Sequence, residues 1–540
     1  MMHAKILDCT LRDGAYLVDK NFGEMNIKGI IAGLVESNID FIEIGFLQDD
    51  EFGDGKTVFL NSQDAKKYIP ERKKNSEFAV LADYSRYTIS NLDENKGDSF
   101  DAVRECFFKK ERYEALEACK EIKQKGYKVF IQPVDILGYT DREILELIDR
   151  VNEIEPYCIS IVDTFGSMYV EDLRRIFSLI HHNLIPSCKI GFHSHNNMQL
   201  SNALTQEFLL ISRGIREVVA DTTLCGMGRG AGNTPTELVV QYMVSHLGYL
   251  YNIDAILDTI DNYIENIRTR CEWGYTIPFF IAGAHTSHVN NIVYLQKKNG
   301  VRSKDIQYVL SSMNEEERKR YDYNLLENKY ISHMSSDIQD DEDIKNLEIV
   351  LNNRNVLLLA PGKSIREYCV KLRNYIDEKD PVIITINYLD EEFKEDYVFM
   401  SNPKRHDFWM NDSRYLNANK IYTSNVVQVD ARNIVCSYVK LLKVGWKHYD
   451  NATVLLLRLL DKVLVKEIAI AGFDGYNVDE KSCFVNDYLN SLYVKENPIE
   501  LNNEIKDMCS DYIKVREKKT KIVMITDSRF KESLNGVDYE

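Results

Sequence analysis

From the start of the chain to about residue 240, short apolar runs alternate with longer stretches whose apolar positions recur at helical spacing. Residues 4–8, 41–45, 78–82, 129–133, 159–163, 189–193 and 217–221 read as buried strands. Helical patterns lie between them, as at residues 112–125 and 141–154. Strands alternating with helices predict an α/β fold on a parallel sheet. Seven visible strands with room for an eighth predict a closed (β/α)8 barrel; on pattern alone an open doubly wound sheet is the alternative.

Beyond residue 240 the pattern turns helical, and residues 291–334 are expected to extend the barrel domain of residues 1–290 as a set of helices. Residues 335–350 open with the acidic run Ser335 to Ile344 and read as a linker. A fresh strand then begins at residues 355–359, followed by the turn Ala360-Pro361-Gly362 and a helical stretch. Further strands are predicted at 382–387, 397–401, 421–424, 468–472 and 521–526. Residues 351–540 therefore read as a second, Rossmann-like α/β domain. A chain of 540 residues is in any case too long for one hydrophobic core.

Charge narrows the partners. A net charge of -17 argues against nucleic acid and against anionic lipid, both of which need a basic face. It leaves anionic small substrates open, because a local metal or arginine can dominate a pocket. No run approaches the roughly eighteen apolar residues of a membrane span, and no signal-peptide pattern opens the chain. Eleven scattered cysteines with no Cys-x-x-Cys pair read as reduced thiols, hence a cytoplasmic protein. A homo-oligomer is expected.

The chemistry gathers where predicted strands end. The first strand ends in Asp8-Cys9-Thr10-Leu11-Arg12-Asp13-Gly14, which puts Arg12 and Asp13 at the mouth of a parallel barrel. Another ends in His193-Ser194-His195, where alternation sends both imidazoles to one side. With Asp13 they offer two nitrogens and a carboxylate to one divalent ion. A His-x-His alone is often chance, and Asp-Gly after a strand is usually a turn. The third piece is Gly226-Met227-Gly228-Arg229-Gly230-Ala231-Gly232-Asn233-Thr234-Pro235, whose glycines let backbone approach a ligand closely.

Together these three motifs, in this order, resemble the metal-dependent aldolase/lyase superfamily of TIM barrels. That superfamily includes 4-hydroxy-2-oxovalerate aldolase, hydroxymethylglutaryl-CoA lyase and isopropylmalate synthase. The resemblance covers roughly residues 3–290. It implies Asp13, His193, His195 and Asn233 as metal ligands, with Mn²⁺ or Mg²⁺ favoured and Zn²⁺ as the alternative. It also implies Arg12 as the group that steadies an enolate oxygen, with Glu43 near the metal or simply orienting Arg12. The substrate class implied is a 2-oxo acid, cleaved or formed at the adjacent carbon–carbon bond, as in 4-hydroxy-2-oxo acid to pyruvate plus aldehyde. One departure stands out: where the hydroxy-oxovalerate aldolases carry a histidine as base, this chain has Tyr16, a poor base at its ordinary pKa near about 10. A Claisen-type enzyme using acyl-CoA and a non-catalytic binding protein on a degenerate barrel are the competing readings.

In the second domain, Gly362 and Ser364 follow the first strand and Asn387 ends the next. A strand, tight turn and helix start can hold a phosphate. The order of polar strand ends, with the late Gly472-Phe473-Asp474-Gly475-Tyr476, resembles bacterial sialyltransferase-like and flagellin-glycosylation-associated proteins over about residues 353–530. That resemblance implies a nucleotide or nucleotide-sugar ligand, and with it a place in surface-polysaccharide metabolism. No match for the catalytic histidine of those transferases is evident.

Overall fold

A computed structural model describes residues 4–71, 74–298, 300–334, 338–426, 433–447, 450–477, 483–489 and 497–535. The chain divides into two compact units: Met1–Ile292 with Glu315–Arg320, and Val293–Asn314 with Tyr321–Glu540.

The first unit is a (β/α)8 barrel. Its strands are β1 (Ala4–Asp8), β2 (Phe41–Leu47), β3 (Glu77–Asp83), β4 (Ala102–Phe107), β5 (Lys128–Pro133), β6 (Cys158–Asp163), β7 (Lys189–Ser194) and β8 (Val218–Thr222). Each pairs in parallel with the next, and β1 pairs with both β2 and β8, so the sheet closes. The two-residue strand Val58–Phe59 extends β2 on the outside of this order. Apolar faces of the intervening helices, such as Ile144, Leu147, Ile148 and Val151 of Asp141–Ile154, pack on the outer surface of the strands.

Inside the barrel, Leu7, Phe41, Ala79, Ala102, Phe130, Cys158 and Val219 form a dry plug, with Phe41 edge-on to Phe130 at 5.3 Å between ring centroids. Two residues further along each strand lie on the same face. There the side chains become Cys9, Glu43, Leu81, Arg104, Gln132, Ser160 and Asp221, all buried. All but Leu81 and Cys9 are polar or charged, so the barrel interior turns from hydrocarbon to mostly polar within one layer.

Gly45 shapes that layer. The pairing of β2 with β3 slips between Glu43 and Phe46, and Gly45 sits at the slip with φ +150°. A Cβ there would lie 2.2 Å from the carbonyl oxygen of Thr57. Only glycine lets the Val58–Phe59 segment close against β2 at this bulge.

The second unit is a seven-stranded, wholly parallel sheet of β9 (Asn355–Leu359), β10 (Val382–Ile386), β11 (Tyr397–Met400), β12 (Asn419–Thr423), β13 (Ile434–Cys436), β14 (Glu467–Ala471) and β15 (Lys521–Met524). The spatial order is β13-β12-β11-β10-β9-β14-β15. The chain therefore reverses direction across the sheet between β9 and β14.

Two expectations change. Helical residues 293–314 and 321–334 cluster with the second unit and do not extend the barrel. Residues 341–351 are a helix, Asp341–Leu351, with Leu347 and Leu351 buried. Ile344, Leu347 and Leu351 hold a helical apolar spacing that the acidic composition obscures; residues 335–337 of that stretch lie outside the described residues. Among the described residues no helix is long and apolar enough to cross a membrane.

Replacing Gly45 by alanine is expected to destabilise the barrel by about 1–3 kcal/mol through overpacking. The measurement is the shift in the urea midpoint of the full chain, and an unchanged midpoint would refute the bulge argument.

Candidate active site

Six side chains at the C-terminal end of the barrel close into a ring. Arg12 donates from Nε to Glu43 Oε2 at 2.7 Å and holds Nη1 3.1 Å from Asp13 Oδ1. Glu43 Oε2 also lies 3.0 Å from Arg104 Nη1, and Arg104 in turn pairs through Nη2 with Asp221. Asp221 Oδ2 is 3.1 Å from His193 Nδ1, and His193 Nε2 is 3.2 Å from Asp13 Oδ2, which completes the circuit. Glu43 and Arg104 are 0% exposed. Arg12, Asp13 and the short helix Thr10–Asp13 follow β1 directly, while the other four members stand on β2, β4, β7 and β8.

Charge in this ring alternates, and three carboxylates face two guanidiniums. Burial pushes the Asp13 carboxyl upward, but Arg12 and His193 outweigh it and hold it well below the usual range. Asp221 behaves alike, with Arg104 and His193 overcoming burial. Burial pulls His193 down, yet its two carboxylates bring the net shift upward. His195, whose ring centroid is 5.1 Å from that of His193, is driven down to about 3 by burial, against the pull of Asp13 and with the charge of His193 adding to it. It is a neutral imidazole at ordinary pH.

The donor set fits a divalent ion. Asn233 Oδ1 is buried and lacks a hydrogen-bond partner, and buried Asp13 Oδ2 has only the His193 imidazole at 3.2 Å beside it. Ligand atoms of Cys9, Asp13 and His193 lie within 4.8 Å of one another. Burial keeps the Cys9 thiol protonated, and it donates to the Thr222 carbonyl at 3.2 Å, so it serves the fold. Asn233 and His195 face each other across an isolated antiparallel bridge, which brings the glycine-rich loop to the end of β7. Asp13, His193, His195 and Asn233 are thus neighbours. Asp221 gives His193 the support that metal-binding histidines use: Nδ1–H engaged, Nε2 turned to Asp13.

Tyr16 packs edge-on to Phe46 at 5.4 Å, and the Arg229 guanidinium of the glycine-rich loop lies 3.8 Å from its ring centre. Burial raises its hydroxyl, only partly offset by Arg229 and Arg12, so the phenol stays protonated.

Arg104 and Asp221 complete the ring without having been singled out in the sequence. Asp221 is a lone charge inside a strand buried along its length, as Glu43 is, and that is the signal that could have found it; Arg104 stands beside Glu105, and the pair hides the strand itself.

The HMGL-like family model matches residues 3–262. Those residues are an HMGL-like domain. The oxaloacetate decarboxylase of Mycobacterium tuberculosis is 26% identical over 264 residues, spanning 46% of this chain and 72% of that one. The 4-hydroxy-2-oxovalerate aldolase of Thermomicrobium roseum is 28% identical over 243 residues, 44% and 65% of the two chains. Among solved structures, a hydroxymethylglutaryl-CoA lyase from Pseudomonas aeruginosa aligns over 51% of this chain and 95% of its own, at 17% identity and a TM-score of 0.41. The HMGL-like domain ends short of the second unit, whose three singled-out residues have internal partners. The Gly362 amide donates to the Gly472 carbonyl at 2.8 Å. Ser364 gives both its amide, at 2.9 Å, and its hydroxyl to the Asp474 carboxylate. Asn387 bonds Ser401 and the Asn402 amide, tying the ends of β10 and β11. A carboxylate therefore stands where a phosphate was expected, and it repels one.

Two predictions follow from the buried charges of the HMGL-like domain. Arg104→Gln leaves Asp221 without its guanidinium and Glu43 with Arg12 alone, and unfolding of the full chain in urea should show a loss of about 3–5 kcal/mol. Asp8, which accepts from Thr236 and the Thr10 amide, is raised to about 6 by burial against those hydrogen bonds. Its folded pKa exceeds the unfolded one, so its contribution is full below about pH 4 and disappears as pH rises through about 6. Asp8→Asn should remove a stability slope of about 1.4 kcal/mol per pH unit in that window; parallel pH profiles for parent and variant would contradict this.

Proposed function

We propose that the HMGL-like domain is a divalent-metal-dependent carbon–carbon lyase that generates the enolate of a 2-oxo acid, with cleavage of a 4-hydroxy-2-oxo acid to pyruvate and an aldehyde as the leading reaction. The observation that carries this reading is the convergence of Arg12, Asp13, His193, His195 and Asn233, the last with an orphaned buried oxygen, at the C-terminal mouth. A divalent ion held by Asp13, His193, His195 and Asn233 would supply Lewis-acid stabilisation to the 2-oxo group, with Mn²⁺ or Mg²⁺ suited to the mixed ligands and Zn²⁺ the alternative.

The chain's own residues do the rest. Arg12 spends Nε on Glu43 and Nη1 on Asp13, which fixes its plane and leaves Nη2 for the substrate's developing oxyanion. Glu43 and Arg104 act through Arg12 and Asp221 and touch no substrate in this scheme. As the bond beyond the alpha carbon breaks, its electron pair moves onto the enolate oxygen beside Arg12. Arg229, with no carboxylate partner among the described residues, stands beside Tyr16 and suits a further anionic group on the substrate.

Tyr16 favours a second reading. Aldol cleavage needs a base for the hydroxyl proton, and a phenol held protonated is an acid. Decarboxylation of a 3-carboxy-2-oxo acid such as oxaloacetate needs no base: carbon dioxide leaves with no proton removed, and the enolate carbon then takes one from Tyr16, which regains it from water.

The deciding experiment is pyruvate release from oxaloacetate and a panel of 4-hydroxy-2-oxo acids, with and without Mn²⁺. Metal-dependent release is expected, falling by about 10²–10³ in kcat for Arg12→Ala. Turnover of oxaloacetate alone selects the second reading. Release from none of them, or stimulation only by an acyl-CoA, overturns both, and an Asp13→Asn variant that binds Mn²⁺ as well as the parent removes the metal site.

A further inference from the structure

The second unit holds a cavity of about 870 Å³ within itself, large enough for a cofactor-sized ligand. It lies at the C-terminal ends of the strands, lined by the loops after β9 and β14, beside the point at which the strand order reverses. Open parallel sheets bind ligands at that place because neighbouring loops diverge there. The usual anion cradle is closed, since Asp474 occupies the helix start after β9. The cavity's other wall is the segment after β11, with Lys404, Arg405, Phe408 and Trp409.

Three observations on that wall point the same way. Arg405 is largely buried and spends Nη2 on the Leu489 carbonyl at 2.7 Å; among the described residues it has no carboxylate partner. Burial drives its pKa down to about 10, the mark of a cation without a counter-ion. Trp409 has a buried indole N–H with no hydrogen-bond partner among the described residues. Phe408 and Tyr488 stack at 4.7 Å and 14°, with Phe408 57% exposed, which leaves a flat ring face open. The acids that also line the cavity are engaged: Asp474 with Ser364, Asp450 with the Tyr438 hydroxyl at 3.0 Å, and Glu504 with the Lys447 amide at 3.1 Å.

We infer that this cavity binds a nucleotide whose phosphate lies on Arg405 and Lys404 and whose base stacks on the Phe408–Tyr488 pair. The wall offers donors and a ring face, so the ligand must bring acceptors, negative charge and a flat ring of its own. Base stacking on an aromatic side chain and a charge-assisted pair with arginine are each strong enough to be read by substitution. The inference is independent of the lyase chemistry proposed for the barrel.

The test is titration calorimetry on the full chain with nucleoside mono- and diphosphates of each base, the unphosphorylated nucleosides and inorganic phosphate, read in parallel by quenching of tryptophan fluorescence. At least one nucleotide should bind, more tightly than its nucleoside and than phosphate. Arg405→Met should weaken it at least tenfold, and so should Phe408→Ala. Lys404→Glu, at an exposed position that folding does not depend on, should weaken it as well. Trp409→Phe should abolish the quench. No binding by any nucleotide, binding of phosphate as tight as that of the nucleotide, or affinity indifferent to both Lys404→Glu and Arg405→Met would overturn the assignment.

Discussion

The closed ring Asp13–Arg12–Glu43–Arg104–Asp221–His193 is the constraint to which the barrel is fitted. Removing five formal charges from water costs several kcal/mol apiece unless each is matched. Here each carboxylate meets a guanidinium, and the circuit is finished by an imidazole that can share a proton. Such a ring tolerates little displacement. The Phe41–Phe130 plug beneath it keeps water out from below, and the slip at Gly45 sets how β2 presents its charged residue. The surplus of one carboxylate is balanced only partly by His193, and that imbalance is what makes a cation at Asp13 electrostatically welcome.

The periodicity of the sequence was sufficient for seven barrel strands and failed at β4, for a reason tied to function. Arg104 and Glu105 sit side by side in β4, and two charges break the apolar run that marks a buried strand. The ring member that holds the other charges in place thus concealed its own strand. Arg12, Asp13, His193 and His195 were legible because they cluster at strand ends, where local spacing carries the information. Arg104 and Asp221 were not, because their partners are distant in sequence and only barrel closure brings them together. In the second unit, short β13 (Ile434–Cys436) offered too few residues to show a period. The helix Asp341–Leu351 was masked by its acidic first turn, although those acids favour a helix N-terminus.

Both units build at the C-terminal ends of parallel strands, yet they solve opposite problems. In the barrel, strands converge and the side chains of the strands themselves meet, so the site is made inside the sheet. In the open sheet, the cavity lies beyond the strand ends, beside the reversal between β9 and β14, and loops form its walls. Asp474 shows how one carboxylate redirects that space. By bonding Ser364 it satisfies the amide at the start of the helix after β9 and places negative charge there. That charge makes the glycine turn a poor place for the anion expected there from the sequence.

Tyr16 carries the same lesson into the barrel. A motif that matches its relatives at the metal and the enolate oxygen leaves the proton-transfer step free to differ, because that step depends on one side chain at the mouth. Here burial and Phe46 hold a phenol in its neutral form while Arg229 lies across its face. A neutral phenol beside a fixed cation is arranged to give a proton to carbon or oxygen and to tolerate an anionic substituent next to it. Enolate formation is common to aldol cleavage and to loss of carbon dioxide; only the fate of one proton separates them. Under the proposed lyase chemistry, the ring of charges would set the shared step and the Tyr16–Arg229 pair would set which reaction can use it.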